Sequence, residues 1–407
     1  ELSPADRGLC TELVMGTLRW QSALDAGIAK HSSQKVNRLD PEVLIALRLG
    51  AYQIRHLERV PSRAAVNESV ELVKRAHKKS AAPFTNAVLR KLACAPQVAP
   101  ATNGDVSGES LAEQFAHPPW IAARWVLEYG IGNAQRICEY DQAIPPTTLR
   151  MLDASAEETL RADGVELAPG ELLTSARRVL SGDIVHARAF REGHVLVQDE
   201  ASQLVASLVG HGARLLDCCA APGGKTAVLA QRNPEATIIA ADLHEHRTRL
   251  LQERVRARNV QVITADATHL PFGAEFDRVL ADVPCSGTGT LARNPEIKWK
   301  LGRQDLRDLH ARQVAILSAT LNHVAPGGRL LYSTCSLEVE ENEGVISEAL
   351  AARTGFSVVD CAQELRGLRQ QGELAIEPER LVRGGFLRTL QGVHPGDGFF
   401  AAILQRD

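Results

Sequence analysis

The chain has 407 residues, 44% of them hydrophobic and 23% charged, which excludes a disordered or fibrous protein and exceeds one ordinary core, so two or three globular domains are expected. Net charge is −3 overall, yet residues 1–92 hold 15 Lys and Arg against 9 Asp and Glu. A positive front therefore precedes a negative body; the front suits a nucleic-acid partner, and a solvated helix surface is the plainer reading. No run approaches the ~20 apolar residues of a membrane helix and no signal-peptide pattern opens the sequence, so a cytoplasmic location is expected. The eight cysteines, at 10, 94, 138, 218, 219, 285, 335 and 361, form no C-x-x-C pair; reduced thiols are expected, with no disulfide framework and no metal site.

From Ser3 to Leu92 apolar residues recur at helical spacing, as in "LCTELVMGTLRW", "DPEVLIALRLGAYQI", "AVNESVELVKRA" and "FTNAVLRKL", with breaks at Pro41, Pro61 and Pro83. This predicts an all-α bundle over 1–94, with Asp40 as N-cap ahead of Pro41. Residues 95–110, "APQVAPATNGDVSGES", read as a linker. Residues 111–140 are helical in pattern, and 145–198 mix short strand-like and helical pieces, giving a helical plus small α+β domain over 111–198, RRM-like in type. From Ala213 short apolar runs alternate with helical ones. Strands are expected at 213–217, 237–242, 260–265, 276–281 and 329–334, in a mostly parallel, Rossmann-like α/β sheet covered on both faces, so that 199–407 form the third domain.

Between the first of these strands and its helix stands "LDCCAAPGGKTA". Its Gly224-Lys225-Thr226 ending resembles a triphosphate-binding loop, but that pattern requires glycine where Cys219 stands, and no G-x-G-x-x-G dinucleotide fingerprint is present. What remains is a turn of small residues where a ligand can approach the backbone closely. Asp217, Asp242, Asp266 and Asp282 each fall at or just beyond a predicted strand's carboxyl end, the edge where open α/β sheets bind ligands. Asp242 is placed to accept ribose hydroxyls and Asp266 to lie near an adenine amine; any single Asp there is otherwise an ordinary cap or turn former. Cys285 and Cys335 project from strand ends at the same edge. A lone cysteine is usually a small buried hydrophobe, but two at a ligand edge beside Asp282 suggest thiol chemistry, and either could attack first.

The segments "CCAAPGGKT", "DVPCSGTGTLARNPEIKWK" and "YSTCSLEVEENE" resemble the signature motifs of the S-adenosylmethionine-dependent RNA cytosine-C5 methyltransferases of the Sun/Nop2/NSUN family. That resemblance spans about 199–404, including "QDEAS" and the closing strand "GDGFFAAIL". The helical front, with "LRLGAYQIRHLERVPSRAAVNESVELVK", is similar to the RNA-binding fold of the NusB family, a pairing that matches the bacterial Sun/RsmB branch acting on small-subunit rRNA.

The resemblance implies S-adenosyl-L-methionine as cofactor, held by Cys219, Ala220, Ala221, Pro222, Gly223, Gly224 and Lys225 with Asp242, Asp266 and Asp282. It also implies Cys335 as nucleophile toward cytosine C6, Cys285 as helper in release, Asp282 on the cytosine edge, and Lys225 bridging to Asp282. Cys218 replaces a bulkier apolar residue, a packing change rather than a third catalytic thiol. "TTLRMLDAS" lacks the asparagine that often follows this arginine, which puts an RNA contact from Arg150 in question. The expected partner is RNA, small-subunit rRNA first, with no membrane and no metal, and the protein itself is expected to be a monomer. Aromatic residues are only 4%, so phosphate contacts from Arg and Lys should outweigh base stacking. The alternatives are a tRNA cytosine-C5 methyltransferase and a NusB-like module without catalysis. An adenine-N6 enzyme is disfavoured because "DVPC" stands where that chemistry wants N/D-P-P-Y/F.

Overall fold

The computed structural model describes residues 3–96, 107–273 and 275–407. Two compact units result, Glu1–Ile144 with Leu291–Lys300, and Pro145–Thr290 with Leu301–Asp407.

The first unit is helical: α1 (Pro4–Arg19), α2 (Gln21–His31), α3 (Pro41–His56), α4 (Ser62–Arg75), α5 (Ala82–Cys94), α6 (Gly108–Gln114), α7 (Pro119–Tyr129) and α8 (Ile131–Tyr140). The three expected prolines all fall at helix starts: Pro41 opens α3, Pro61 is the N-cap of α4, and Pro83 lies in the first turn of α5, where a missing N–H costs nothing. Asp40 occupies the N-cap position but makes no capping bond; its carboxylate pairs instead with Lys78 Nζ at 3.0 Å. In α3 the buried residues Val43, Ala46, Leu47, Gly50 and Ala51 form a stripe of i, i+3, i+4, i+7 and i+8, with Tyr52 buried beside it, turned to the core shared with Leu89 and Leu92. Gly50 is required by close packing, since a Cβ there would lie 2.6 Å from Leu89 Cδ1. Each fully buried leucine of this set stabilises the bundle by about 2 kcal/mol.

Two expected boundaries differ. Of the predicted linker, 97–106 lie outside the described residues, while its last residues already start α6, where Ser107 and Ser110 cap each other's backbone N–H. Helices α6–α8, expected with the α+β domain, belong to the helical unit, because their buried residues Leu111, Ile121, Trp125 and Ile137 pack helix on helix.

The second unit carries two sheets. The smaller is β1 (Thr148–Met151), α9 (Ala156–Ala162), β2 (Glu166–Pro169), β3 (Ala176–Ser181), α10 (Arg188–Glu192) and β4 (Val195–Val197), with all-antiparallel order β2-β3-β1-β4. This is the split-βαβ connectivity. One sheet face packs Leu149, Val179 and Val195 against its two helices. The other offers no aromatic platform: Arg150, 4% exposed, donates to Gln231 Oε1 at 3.0 Å and also to Ser175, so it fastens the small sheet to the larger one. The expected boundary at 198/199 is likewise bridged. Leu172, Leu173 and Ala176 lie in the core of the larger sheet, and the buried Glu200 carboxylate accepts from the N–H groups of Glu171, Leu172 and Leu173.

The larger sheet follows α11 (Glu200–Leu208): β5 (Arg214–Asp217), α12 (Gly224–Arg232), β6 (Thr237–Asp242), α13 (Glu245–Arg254), β7 (Val260–Thr264) and β8 (Phe276–Asp282). The short helix α14 (Ile297–Lys300) then lies in the helical unit. There the fully buried Lys298 donates through Nζ to the carbonyls of Arg19 and Ala116, and Trp299 donates to that of Leu18. The chain re-enters the sheet unit at α15 (Arg303–Thr320) and β9 (Val324–Thr334), then closes with α16 (Glu343–Ala351), β10 (Phe356–Val359), α17 (Cys361–Gln370), β11 (Val382–Arg383), β12 (Phe386–Thr389) and β13 (Phe399–Arg406).

Strands β7-β6-β5-β8-β9 are parallel, and antiparallel β13, β12 and β11 extend the sheet beyond β9 while β10 also pairs with β13. Neighbouring residues along each strand divide between two cores: Leu215, Leu280 and Leu331 face one, Leu216, Val279, Ala281 and Tyr332 the other. Burial on both faces explains why these strands read as continuous apolar runs rather than as alternating ones. Among the described residues no helix is long and apolar enough to cross a membrane.

Candidate active site

Strand order reverses between β5 and β8, since the chain runs outward to β7 before returning, and an open sheet leaves its crevice at such a point. The small-residue loop 218–223 follows β5 there. Gly223 has φ +107° and precedes α12, and a Cβ on it would come within 2.7 Å of Leu251 and Val255 on the α13 side. Glycine thus lets the loop turn while lying against its neighbour helix. The Ala221–Pro222 peptide is cis. Ala220 N–H donates to Ala241 O at 2.8 Å and Ala221 N–H to Asp242 Oδ2 at 3.2 Å, so the loop is tied to the end of β6.

The four strand-end acids line this edge in the spatial order Asp282, Asp217, Asp242, Asp266, but their surroundings differ. Asp242, 3% exposed, accepts from Ala221 and His244 N–H and pairs with Arg247 at 3.3 Å. Asp266 is exposed, and Oδ1 accepts from both the N–H and the hydroxyl of Thr268, holding its carboxyl below the usual range. Asp217 is buried, with Oδ2 accepting from Thr226 Oγ1 at 2.7 Å and Oδ1 without any partner. Burial foremost, with Asp282's charge adding to it against the Thr226 bond and Lys225, pushes Asp217 up to about 7.

A group whose folded pKa is raised binds its proton more tightly when folded. Its contribution is therefore fully present below about pH 4 and lost as pH rises through about 7. Asp217→Asn, which mimics the protonated acid, is expected to flatten this decline, on the order of 4 kcal/mol. Urea unfolding at several pH values between 4 and 8 checks it, with the variant gaining on the parent toward pH 8.

Strands β8 and β9 are in register with Asp282 opposite Ser333. Continuing two or three residues past those positions brings Cys335 and Cys285, 50 apart in sequence, to an Sγ–Sγ distance of 3.4 Å. Both are half-buried free thiols. Asp282 receives Lys225 Nζ on Oδ2 at 2.8 Å and Ser333 Oγ on Oδ1 at 2.7 Å. The Lys225 ammonium also lies 4.9 Å from the Phe399 ring centroid. Burial works to lower the Lys225 pKa, but the Asp282 charge and hydrogen bond, with Cys335 and Asp217, outweigh it and the net shift is upward. Cys285 is raised well above an ordinary thiol, first by its hydrogen bond to Cys335, then by burial, then by the charges of Cys335 and Glu341.

One edge thus gathers Cys219, Ala220, Ala221, Pro222, Gly223, Gly224, Lys225, Asp242, Asp266 and Asp282 with both thiols. Cys218, 1% exposed, is packed in the core below it. Sequence reasoning did not single out Thr226, Ser333, Phe399 or the buried Glu341. Ser333 was recoverable from the register of two parallel strands, whereas Phe399 arrives on an antiparallel strand that no local pattern assigns to this edge. The unpartnered Asp217 Oδ1 is the kind of orphaned buried atom that a polar ligand at the loop would satisfy.

The family model described as 16S rRNA methyltransferase RsmB/F matches residues 208–405, and the NusB family model matches 1–94. The chain is 34% identical, over 100% of its length and 92% of the relative's, to a probable ribosomal RNA small subunit methyltransferase B of Bacillus subtilis. It is 33% identical, over 98% of the chain and 89% of the relative, to the ribosomal RNA small subunit methyltransferase B of Pseudomonas syringae pv. tomato. Among solved structures, the protein PH0851 superimposes with TM-score 0.80 at 25% identity, covering 99% of this chain and 91% of the other. A methyltransferase homolog protein from Pyrococcus horikoshii does so with TM-score 0.59 at 28% identity, covering 74% of this chain and 99% of the other. With both parts matched and relatives aligned along its whole length, the chain belongs to the RsmB/F family of 16S rRNA methyltransferases, with a NusB-family domain at its front.

Proposed function

We propose that the protein forms 5-methylcytosine at a cytosine of small-subunit rRNA, with S-adenosyl-L-methionine as donor, through a covalent bond between Cys335 Sγ and cytosine C6. The observation that carries this reading is the pair of thiols at 3.4 Å beside the Lys225–Asp282 ion pair.

Cytosine C5 is a poor nucleophile. Addition of the Cys335 thiolate at C6 converts the ring to an enamine whose C5 can take a methyl group. Asp282 faces the cytosine edge and favours a proton at N3 as charge develops there. Lys225 supplies the cation of the site and holds Asp282 in place through its bond to Oδ2. Cys285 Sγ lies 3.4 Å from Cys335 Sγ, within hydrogen-bond reach. When C5 has been methylated it loses its proton to a base, the S–C6 electrons return to Cys335, and Cys285 assists this release. S-adenosyl-L-methionine supplies the methyl group on a sulfonium. Residues 219–225 with Asp242, Asp266, Asp282 and the free Asp217 Oδ1 are the groups that would hold it.

The basic front fits RNA held through phosphates, with affinity falling steeply with salt. The target base has to leave any helix before Cys335 can reach C6. The test is transfer of labelled methyl from S-adenosyl-L-methionine to deproteinised small-subunit rRNA, followed by bisulfite sequencing. Label at one cytosine is expected; no transfer to any cytosine removes the enzymatic reading, and transfer to tRNA alone redirects the substrate.

A further inference from the structure

One buried carboxylate outside the described reaction touches both cysteine loops. Glu341, 0% exposed, lies just beyond β9. Its Oε1 accepts from Ser286 N–H and from Gln313 Nε2, each at 2.8 Å. Its Oε2 accepts from the hydroxyls of Ser286 and Ser336, which also lie 3.0 Å from each other. Ser286 directly follows Cys285, and Ser336 directly follows Cys335. The same Gln313 amide donates to Pro284 O at 2.9 Å, so the residue before Cys285 is held as well. Glu341's own backbone is fixed by Tyr332 Oη, which donates to its carbonyl at 2.6 Å. Four donors converging on a buried carboxylate match its acceptor capacity, and the network contains no flexible surface group.

We propose that Glu341 is the positioning residue of the dithiol: by clasping the residue after each cysteine it sets the distance between Cys285 and Cys335 and fixes the orientation of both. The proposal rests on the methyltransferase reading only for its effect on turnover. Positioning at this precision carries weight, since a misplacement of about 1 Å can cost roughly 100-fold in rate.

The test begins without RNA. Bridging of Cys285 to Cys335 by dibromobimane, followed by mass mapping of the cross-linked peptides, reads the spacing directly, with Cys285→Ala as the blank. In Glu341→Gln the bridging rate is expected to fall about tenfold or more, while single alkylation of each thiol by iodoacetamide stays within about twofold. Turnover should show a fall in kcat with KM for RNA little changed, and covalent RNA adduct should accumulate as expected for Cys285→Ala. A folded Glu341→Gln protein that bridges and turns over like the parent overturns the proposal. Should that variant not fold, Ser286→Ala/Ser336→Ala removes the hydroxyl links and leaves the charge; it should lose bridging too, and unchanged bridging there also overturns the proposal. Loss of bridging in the variants, with no methyl transfer or RNA adduct from the parent protein, would leave Glu341's role standing and remove the methyltransferase reading instead.

Discussion

Cys335→Ala is expected to abolish methyl transfer and form no covalent RNA adduct, whereas Cys285→Ala is expected to lose turnover while accumulating the adduct. The geometry by itself makes the thiols near-equivalent, 3.4 Å apart at the same sheet edge. What distinguishes them is their surroundings. Cys335 is among the groups whose charge raises Lys225, which puts that sulfur within electrostatic reach of the cation, while Cys285 is raised foremost by its hydrogen bond to Cys335 and by burial. A nucleophile must be a thiolate when the substrate arrives, and a helper in release need not be. Denaturing gels of enzyme mixed with labelled rRNA fragment check the outcome. Adduct with Cys335→Ala and none with Cys285→Ala would exchange the roles. In either variant the loss of turnover should approach completeness, because each thiol has its own step, attack or release, and Cys218, sealed in the core, can take over neither.

Much of this arrangement is legible in the sequence, for an identifiable reason. The parallel strands are buried on both faces, so each appears as an uninterrupted apolar run, and four of the five expected spans agree with the observed ones to within about a residue. The fifth, β9, begins five residues early, at Val324, running through Pro326, Gly327 and Gly328, residues that ordinarily end strands. Local pattern could not reveal β10, β11 or β12, which exist because β13 offers its edges to antiparallel partners.

The boundaries failed where contacts are long-range. Nothing in "LARNPEIKWK" announces that Lys298 will be buried among carbonyls of the helical unit, and a lysine in so polar a segment reads as surface. Arg150 is the same case in the other unit: its partners Gln231 and Ser175 are 81 and 25 residues away. At the site the chemistry-bearing residues were legible because strand ends share one edge by topology, while Glu341 was not, because within "LEVEENE" it looks like one more solvated acid.

Lys225→Met is expected to lower kcat about 100- to 1,000-fold, the cost of removing one preorganised charge or donor from a reacting centre. Lys225 keeps its charge in the folded protein, since its net shift is above an already high ordinary value. A merely structural role would give a different result. Removing Lys225 leaves Asp282 with Ser333 Oγ as its remaining donor, and because Asp282 is half-buried the stability loss should fall short of the roughly 3–5 kcal/mol of a fully buried broken pair. Thermal melting should therefore shift modestly while kcat collapses. Lys225→Arg should not restore the rate, because a planar guanidinium cannot deliver the same point charge to Asp282 at 2.8 Å while keeping its place 4.9 Å from the Phe399 ring centroid. A folded Lys225→Met protein that keeps its kcat while losing stability would leave this lysine as a support for Asp282 alone.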